Sequence, residues 1–239
     1  PQILNKGWLP EAVPDMMTMD DIRAQLFDVI DRTPHLNWLL LTKRPENIGR
    51  MWCSYDSSNR RDYHRKNVWL GTSVESSDYL PRIDSLKSAG CLASMLFISA
   101  EPVVGPMETL GEHLDGIDWV ITGGESGLHA RPAEPDWYRS IRDQCSSLDI
   151  PFHFKQWGEW IPYEHCGCPP LIESQHGETY DTHQLPIDLT DHKPIDNWYW
   201  PDGLSDTVYR RVGKKAAGRM LDGVEHDAFP RVDSQKGIK

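Results

Sequence analysis

A surplus of positive charge is what this sequence most plainly lacks. Its 239 residues carry 25 Lys and Arg against 36 Asp and Glu, a formal net charge of −11. That balance gives no general electrostatic footprint for a nucleic-acid backbone and leaves room only for a local basic patch. Long apolar runs are missing too. No stretch approaches the ~18 apolar residues of a membrane span, and the opening residues show no basic segment leading into an apolar one. The expectation is a soluble, cytoplasmic protein. Cysteine is sparse: five in all, at the irregular positions 53, 91, 145, 166 and 168, which is no disulfide framework. Three common catalytic signatures are absent as well. Without G-x-S-x-G, H-E-x-x-H or G-x-x-x-x-G-K-[ST], a serine hydrolase of the elbow type, a zincin and a P-loop nucleotidase fall away. Cys166 and Cys168, with His165, His176 and His183 around them, lack the paired C-x-x-C spacing of a zinc ribbon, and no metal site is assigned to them.

What is present is a repeated pattern. Thr18 to Asp21 has the hydroxyl and acidic third position of a helix start, and Ile22, Leu26, Val29 and Ile30 share one face of the predicted helix over 18–32. Short apolar runs follow at Leu36–Leu41, Asn67–Gly71, Met95–Ile98, Trp119–Ile121 and Pro151–Phe154, each with a helical pattern or turn behind it. Like recurs after like at intervals of roughly 26 to 33 residues, the length of one βα unit. Strands alternating with helices imply a parallel sheet, so the expected fold is α/β: a partial, open (β/α) barrel forming one domain over 1–239. The polar segment from Ser54 to Lys66, with Arg60, Arg61, Arg65 and Lys66, reads as solvated surface. From 159 to 206 the periodicity disappears, which marks a long irregular, loop-rich insertion or lid, and a C-terminal segment over 207–239 recovers order.

The five strand ends read LLLT-KRP, WLGT-SVE, LFIS-AEP, WVIT-GGES and FHFK-QWGE. Thr42, Thr72, Ser99 and Thr122 occupy corresponding places, and beyond them come Lys43 and Arg44, Ser73 and Glu75, Glu101, the turn Gly123, Gly124, Glu125, Ser126, then Lys155 and Gln156. In parallel α/β folds the carboxyl ends of the strands open on one edge, where ligands bind, so these residues should converge there. Adjacent glycines let a ligand approach the backbone closely and leave amide groups free for an anion. A salt-bridge network closing that edge is the competing, purely structural account.

The series LLLTKRPENI, VWLGTSVE, FISAEPVVGP, DWVITGGESGLHARP, FHFKQWGEW and VGKKAAGRMLDG, in this order, resembles the phage-type Gp family. That family is a domain of unknown function related to radical S-adenosylmethionine proteins. The resemblance implies a partial (β/α) barrel in which Thr72, Ser73, Glu75, Gly123, Gly124, Glu125 and Ser126 bind S-adenosylmethionine. Lys43, Arg44, Glu101, Lys155 and Gln156 would then serve catalysis and face a small-molecule or nucleic-acid-derived substrate. It also implies an iron–sulfur cluster on a Cys-x-x-Cys-Tyr-Ala segment. No such segment occurs in these residues, so no cluster or cofactor is expected on this chain alone, which reads as a fragment or a cluster-less relative. Two other readings stand beside this one. One is a nucleic-acid-binding module without cofactor that uses the basic 60–66 and 210–219 segments on DNA or RNA. The other is a cofactor-independent (β/α)-barrel enzyme with the glutamates as acid and base.

Overall fold

The computed structural model describes residues 18–53, 64–162, 165, 171–173, 179–181, 186–187, 198–199 and 209–231. Five parallel strands form the central sheet: β1 (Trp38–Thr42), β2 (Arg65–Ser73), β3 (Ala93–Ala100), β4 (Trp119–Gly123) and β5 (Phe152–Gln156). Their spatial order is their chain order, β1-β2-β3-β4-β5. The sheet therefore never reverses direction and has no crevice where strand order switches. Helices α1 (Met19–Arg32), α2 (Ile48–Cys53), α3 (Pro81–Lys87) and α4 (Pro135–Ser147) come between the strands or just before them. Thr18 starts α1 through a reciprocal capping box with Asp21, whose backbone N–H donates to Thr18 Oγ1 at 3.2 Å while Thr18 N–H donates back at 2.8 Å.

Alternation along each strand divides the side chains between two faces. Val68, Leu70, Leu96, Ile98, Val120, Phe152 and Phe154 join the helix residues Ile83, Leu86, Tyr138 and Ile141 in the main core. Trp69, Phe97 and Trp119, with Met95 and Ile121 against them, form a separate cluster on the opposite face. There Gly71 is a glycine because the Phe97 ring lies on it: an added Cβ would come within 2.3 Å of the ring. At the edge strand β1 this second face stays open, with Leu39 46% and Leu41 51% exposed. The far edge is covered by the chain itself. Phe154 N–H donates to the His226 carbonyl at 2.8 Å and Trp119 Nε1 to the Ala228 carbonyl at 2.9 Å, which removes the pairing hazard of a bare strand.

Three local expectations change. In α1 the buried stripe is Phe27 and Ile30, while Leu26 and Val29 are exposed, because Trp52 and Arg65 pack on the Phe27 ring. Arg65 is not solvated surface. It is buried at the start of β2, pairs with Asp31 at 2.8 and 3.0 Å, and its guanidinium covers Phe27 and Trp52, which supplies the partners a buried charge requires. The region expected to be irregular holds short antiparallel strands among its described residues: Leu171–Glu173 with Thr179–Asp181 and Pro186–Ile187, and Trp198–Tyr199 with Tyr209–Arg211, which also pairs with β6 (Trp160–Pro162). Of the Cys166/Cys168 group, only His165 lies within the described residues.

The turn after Met220–Leu221 is clamped to α4. Asp222, at φ 53°, accepts from Arg139 at 2.6 Å and Arg142 at 2.7 Å. Bonding to Arg139 first, then Arg142, holds its carboxyl well down, from 3.8 to about 2. A carboxyl depressed by folding contributes its stability above the ordinary range and loses it as pH falls through the folded value. The melting temperature should therefore begin to drop below about pH 4, the ordinary range of such a group. Asp222→Asn should remove that acid-side slope and cost about 1 kcal/mol at neutral pH, or about 2–4 °C, modest because the pair is partly solvated. Calorimetric melts of both proteins from pH 2 to 7 check it.

Candidate functional site

All five strand ends lie at one edge of the sheet. Thr42 pairs with Thr72, Ser73 with Ser99, Ala100 with Thr122, and Gly123 with Gln156. The hydroxyls expected to correspond do not share a face, however. Thr72 lies between the core residues Leu70 and Val74, is fully buried, and donates to the Thr42 carbonyl at 2.9 Å, so it ties β1 to β2 on the helix side. Thr122 follows Val120 onto the same side. The residue level with Ser99 on the opposite face is Ser73, and both are buried. The carboxyl edge thus presents Lys43, Ser73, Glu75, Ser99, Glu101, Gly123 and Lys155 above the Trp69, Phe97 and Trp119 cluster.

Two ion-paired groups bracket this row. At the β1–β2 end Lys43 donates to Glu75 Oε1, while Arg82 of α3 donates to Glu75 Oε2 at 2.8 Å and to the Ser73 carbonyl at 2.9 Å. Arg82 also lies over the Tyr79 ring at 4.1 Å. Nothing in the strand pattern singles out Arg82; the signal available was its place seven residues beyond Glu75, on the helix that follows β2. At the β3–β5 end Lys155 donates to Glu101 Oε2 at 3.0 Å and Ser99 Oγ to the same oxygen at 3.4 Å. Glu101 Oε1 is buried and has no partner among the described residues. It sits 2.6 Å from where a side chain at position 123 would begin, which is the local reason for glycine there. Gln156 donates through Nε2 to the Gly124 carbonyl at 3.0 Å, and its Oε1 is likewise buried without a partner among the described residues.

The glycine turn is built differently from a bare ligand cradle. A Cβ on Gly124 would stand 1.7 Å from the Trp157 carbonyl oxygen, and one on Gly158 (φ 92°) 2.2 Å from the Glu125 carbonyl oxygen. The turn after β4 and the turn after β5 are therefore pressed backbone to backbone, with Gly124 N–H donating to the Gln156 carbonyl and Glu159 N–H to the Glu125 carbonyl, each at 2.9 Å. Glu125 turns onto its own loop. Its Oε2 accepts from Arg131 Nε at 2.8 Å and from Arg131 backbone N–H at 2.9 Å, and its Oε1 from the guanidinium at 3.1 Å. The hydrogen-bonded guanidinium holds its carboxyl below the usual range. Ser126 is exposed, and Arg44 reaches out to Glu46 at 3.2 Å, away from the row. For Glu125→Gln the expected outcome is a loss of about 1 kcal/mol or less, since the pair is part-exposed, seen as a small drop in melting temperature. Its effect on ligand affinity should be smaller than that of the same change at Glu101, which parallel titrations measure.

Several other candidates are engaged elsewhere, and Arg60 and Arg61 lie outside the described residues. Of the basic segments, Arg65 pairs with Asp31, Arg211 with Glu159 at 3.9 Å, and Arg219 with Glu225 at 3.3 Å. A cavity of about 1060 Å³ lies at the opposite, amino-terminal edge, between His64, Leu114, Asp118, Pro151 and Arg231. Asp118 there accepts the Leu96 N–H at 2.8 Å, joining a loop to β3. The described thiols do not suit an iron–sulfur cluster. Cys91 lies just before β3 at that same amino edge, and Cys145 is buried in α4 with its thiol pushed up to about 12 by desolvation, far from the thiolate a cluster requires. Among the described residues no group of three or more His, Cys, Asp or Glu could hold a metal ion, and no helix is long and apolar enough to cross a membrane.

Residues 11–230 match the family described as "Protein of unknown function (DUF5131)". No curated protein and no solved structure matches the chain.

Proposed function

From this chain, which belongs to the DUF5131 family of unknown function, we propose a radical S-adenosylmethionine-like enzyme domain of phage or bacterial type. Its ligands would bind at the carboxyl edge of the parallel sheet. The observation that carries this reading is the Glu101 carboxylate: one oxygen is held by Lys155 and Ser99, the other is buried at the strand ends without a partner among the described residues. An unpaired buried acceptor costs about 1–3 kcal/mol, so a donor brought by a ligand would relieve that cost. S-adenosylmethionine fits that requirement, since it brings an ammonium group and ribose hydroxyls as donors and a carboxylate for a lysine. When bound beside a reduced cluster it supplies radical chemistry. The described residues hold no thiolate set for such a cluster, so the roles assigned to them are binding and orientation. Glu101 receives a donor, Lys155 holds the Glu101 carboxylate in place, and the absence of a side chain at Gly123 leaves room for it.

The Lys155–Glu101 pair also favours a second reading, a cofactor-independent acid/base enzyme in which the half-exposed lysine and the carboxylate exchange a proton with substrate. Calorimetric titration with S-adenosylmethionine separates the two. Saturable heat with the wild-type protein that weakens in Glu101→Gln supports the first reading; no heat at all turns the assignment to the second.

A further inference from the structure

We infer that the β1–β2 end of the carboxyl edge is an oxyanion subsite centred on Lys43, so that the substrate bound there carries a carboxylate or phosphate group. This deepens the proposed function and rests on its placing of the ligand at the strand ends. The argument is one of charge and of donors left over. Glu75 is buried, with 8% of its side chain exposed, and is already neutralised by Arg82, which is itself occupied by Glu75, by the Ser73 carbonyl and by the Tyr79 ring. Lys43 therefore adds a charge that the pair beneath it does not need. Its side chain is 61% exposed on the open face, and an ammonium group has three donors of which Glu75 takes one. Arg44 and Glu46 beside it cancel each other. Counting the residues in contact, Lys43 and Arg82 against Glu75, two cations meet one anion, a local net charge of +1 on a chain whose total is −11.

The other end of the row has the opposite character. Lys155 and Glu101 cancel, and what is left over is an acceptor, Glu101 Oε1. The small residues Ser73, Ser99 and Gly123, all buried, lie between the two ends of the row. A ligand lying along it has its direction set by chemistry: oxyanion over Lys43, hydrogen-bond donor over Glu101.

The test uses inorganic phosphate and acetate as separate probes of the 15N-labelled protein, at low salt because exposed charges are screened. Saturable shifts should appear at the amides of 42–44 and 73–75 and not at 99–101 or 155–156, and whichever anion binds more tightly identifies the substrate's group. Lys43→Met should weaken the tighter anion by about tenfold or more, Lys43→Arg should restore most of the affinity, and Lys155→Met should change it by less than about twofold, a factor corresponding to a small part of one charged contact. Arginine rescue excludes mere misfolding of the methionine variant. Shifts that survive Lys43→Met, that follow Lys155 instead, or that never appear overturn the subsite. If phosphate and acetate leave 42–44 unmoved while S-adenosylmethionine binds, the subsite is wrong and the proposed function stands. If an anion binds as expected while S-adenosylmethionine does not, the subsite stands and the cofactor assignment falls.

Discussion

Gly124→Ala is expected to destabilise the fold by about 3 kcal/mol or more, the upper range for forcing an atom into a filled space. At this chain length that is a fall of about 6–12 °C in melting temperature, taking 2–4 °C for each kcal/mol. The added methyl would stand 1.7 Å from the Trp157 carbonyl oxygen, 2.4 Å from its carbon and 3.0 Å from Gly158 N. All three are backbone atoms, so no side chain can swing aside. They belong to a segment fixed on both flanks, by Gly124 N–H on the Gln156 carbonyl and by Glu159 N–H on the Glu125 carbonyl. Two controls isolate the steric cause. Gly127→Ala, at φ 110° with nothing within 4 Å of the new Cβ, should cost only the backbone preference, about 1 kcal/mol. Gly49→Ala, inside α2 with open space around it, should stabilise by about 0.5–1 kcal/mol through helix propensity. If Gly124→Ala melts no lower than Gly127→Ala, the two turns are not pressed together as described.

The same turn shows where sequence reasoning stops. That Gly123 and Gly124 follow a buried strand, and that polar residues follow the other four, is legible because a short apolar run and its punctuation are both local. What presses on Gly124 is Trp157, 33 positions further along, and nothing near Gly124 announces it. Facing was lost for another reason. Side chains alternate with period two, so an alignment one residue out sends a side chain to the other layer. Thr72 and Ser99 look equivalent as the last hydroxyl of each apolar run, yet the register pairs Ser99 with Ser73 and Thr72 with Ile98. Thr72 consequently binds the Thr42 carbonyl among core residues, and Ser99 meets Glu101 on the opposite face. Charge posed a third difficulty. Arg65 sits in a run of basic residues that is polar by every local measure, and only the folded chain brings Asp31, Phe27 and Trp52 around it. Glu125 likewise has the sequence setting of a ligand-binding carboxylate, while Arg131, six residues on, occupies both its oxygens.

Glu101→Gln is expected to weaken S-adenosylmethionine binding by roughly ten- to hundredfold, the factor that corresponds to losing one charge-assisted hydrogen bond worth about 1.5–3 kcal/mol. The substitution is nearly isosteric. It keeps an acceptor for Lys155 and Ser99 if the amide oxygen takes the place of Oε2, and then turns an NH2 group, a donor, towards the position of Oε1, where the structure has an unpaired acceptor. A ligand donor arriving there would meet a donor instead of an acceptor, so binding should suffer more than folding does. Stability should change little, because the wild-type protein already leaves that oxygen without a partner and gives up no protein contact at it. Gly123→Ala approaches the same oxygen from the other side, with a methyl carbon 2.6 Å away that would displace the carboxylate without changing its charge. Both variants should therefore lose affinity, whereas Glu125→Gln, whose carboxylate Arg131 already occupies, should stay within a few-fold of wild type. Titrations of the three variants beside their melting curves decide the matter: an affinity loss at Glu125 with none at Glu101 would return the ligand to the glycine turn and leave the orphaned oxygen of Glu101 as a feature of packing.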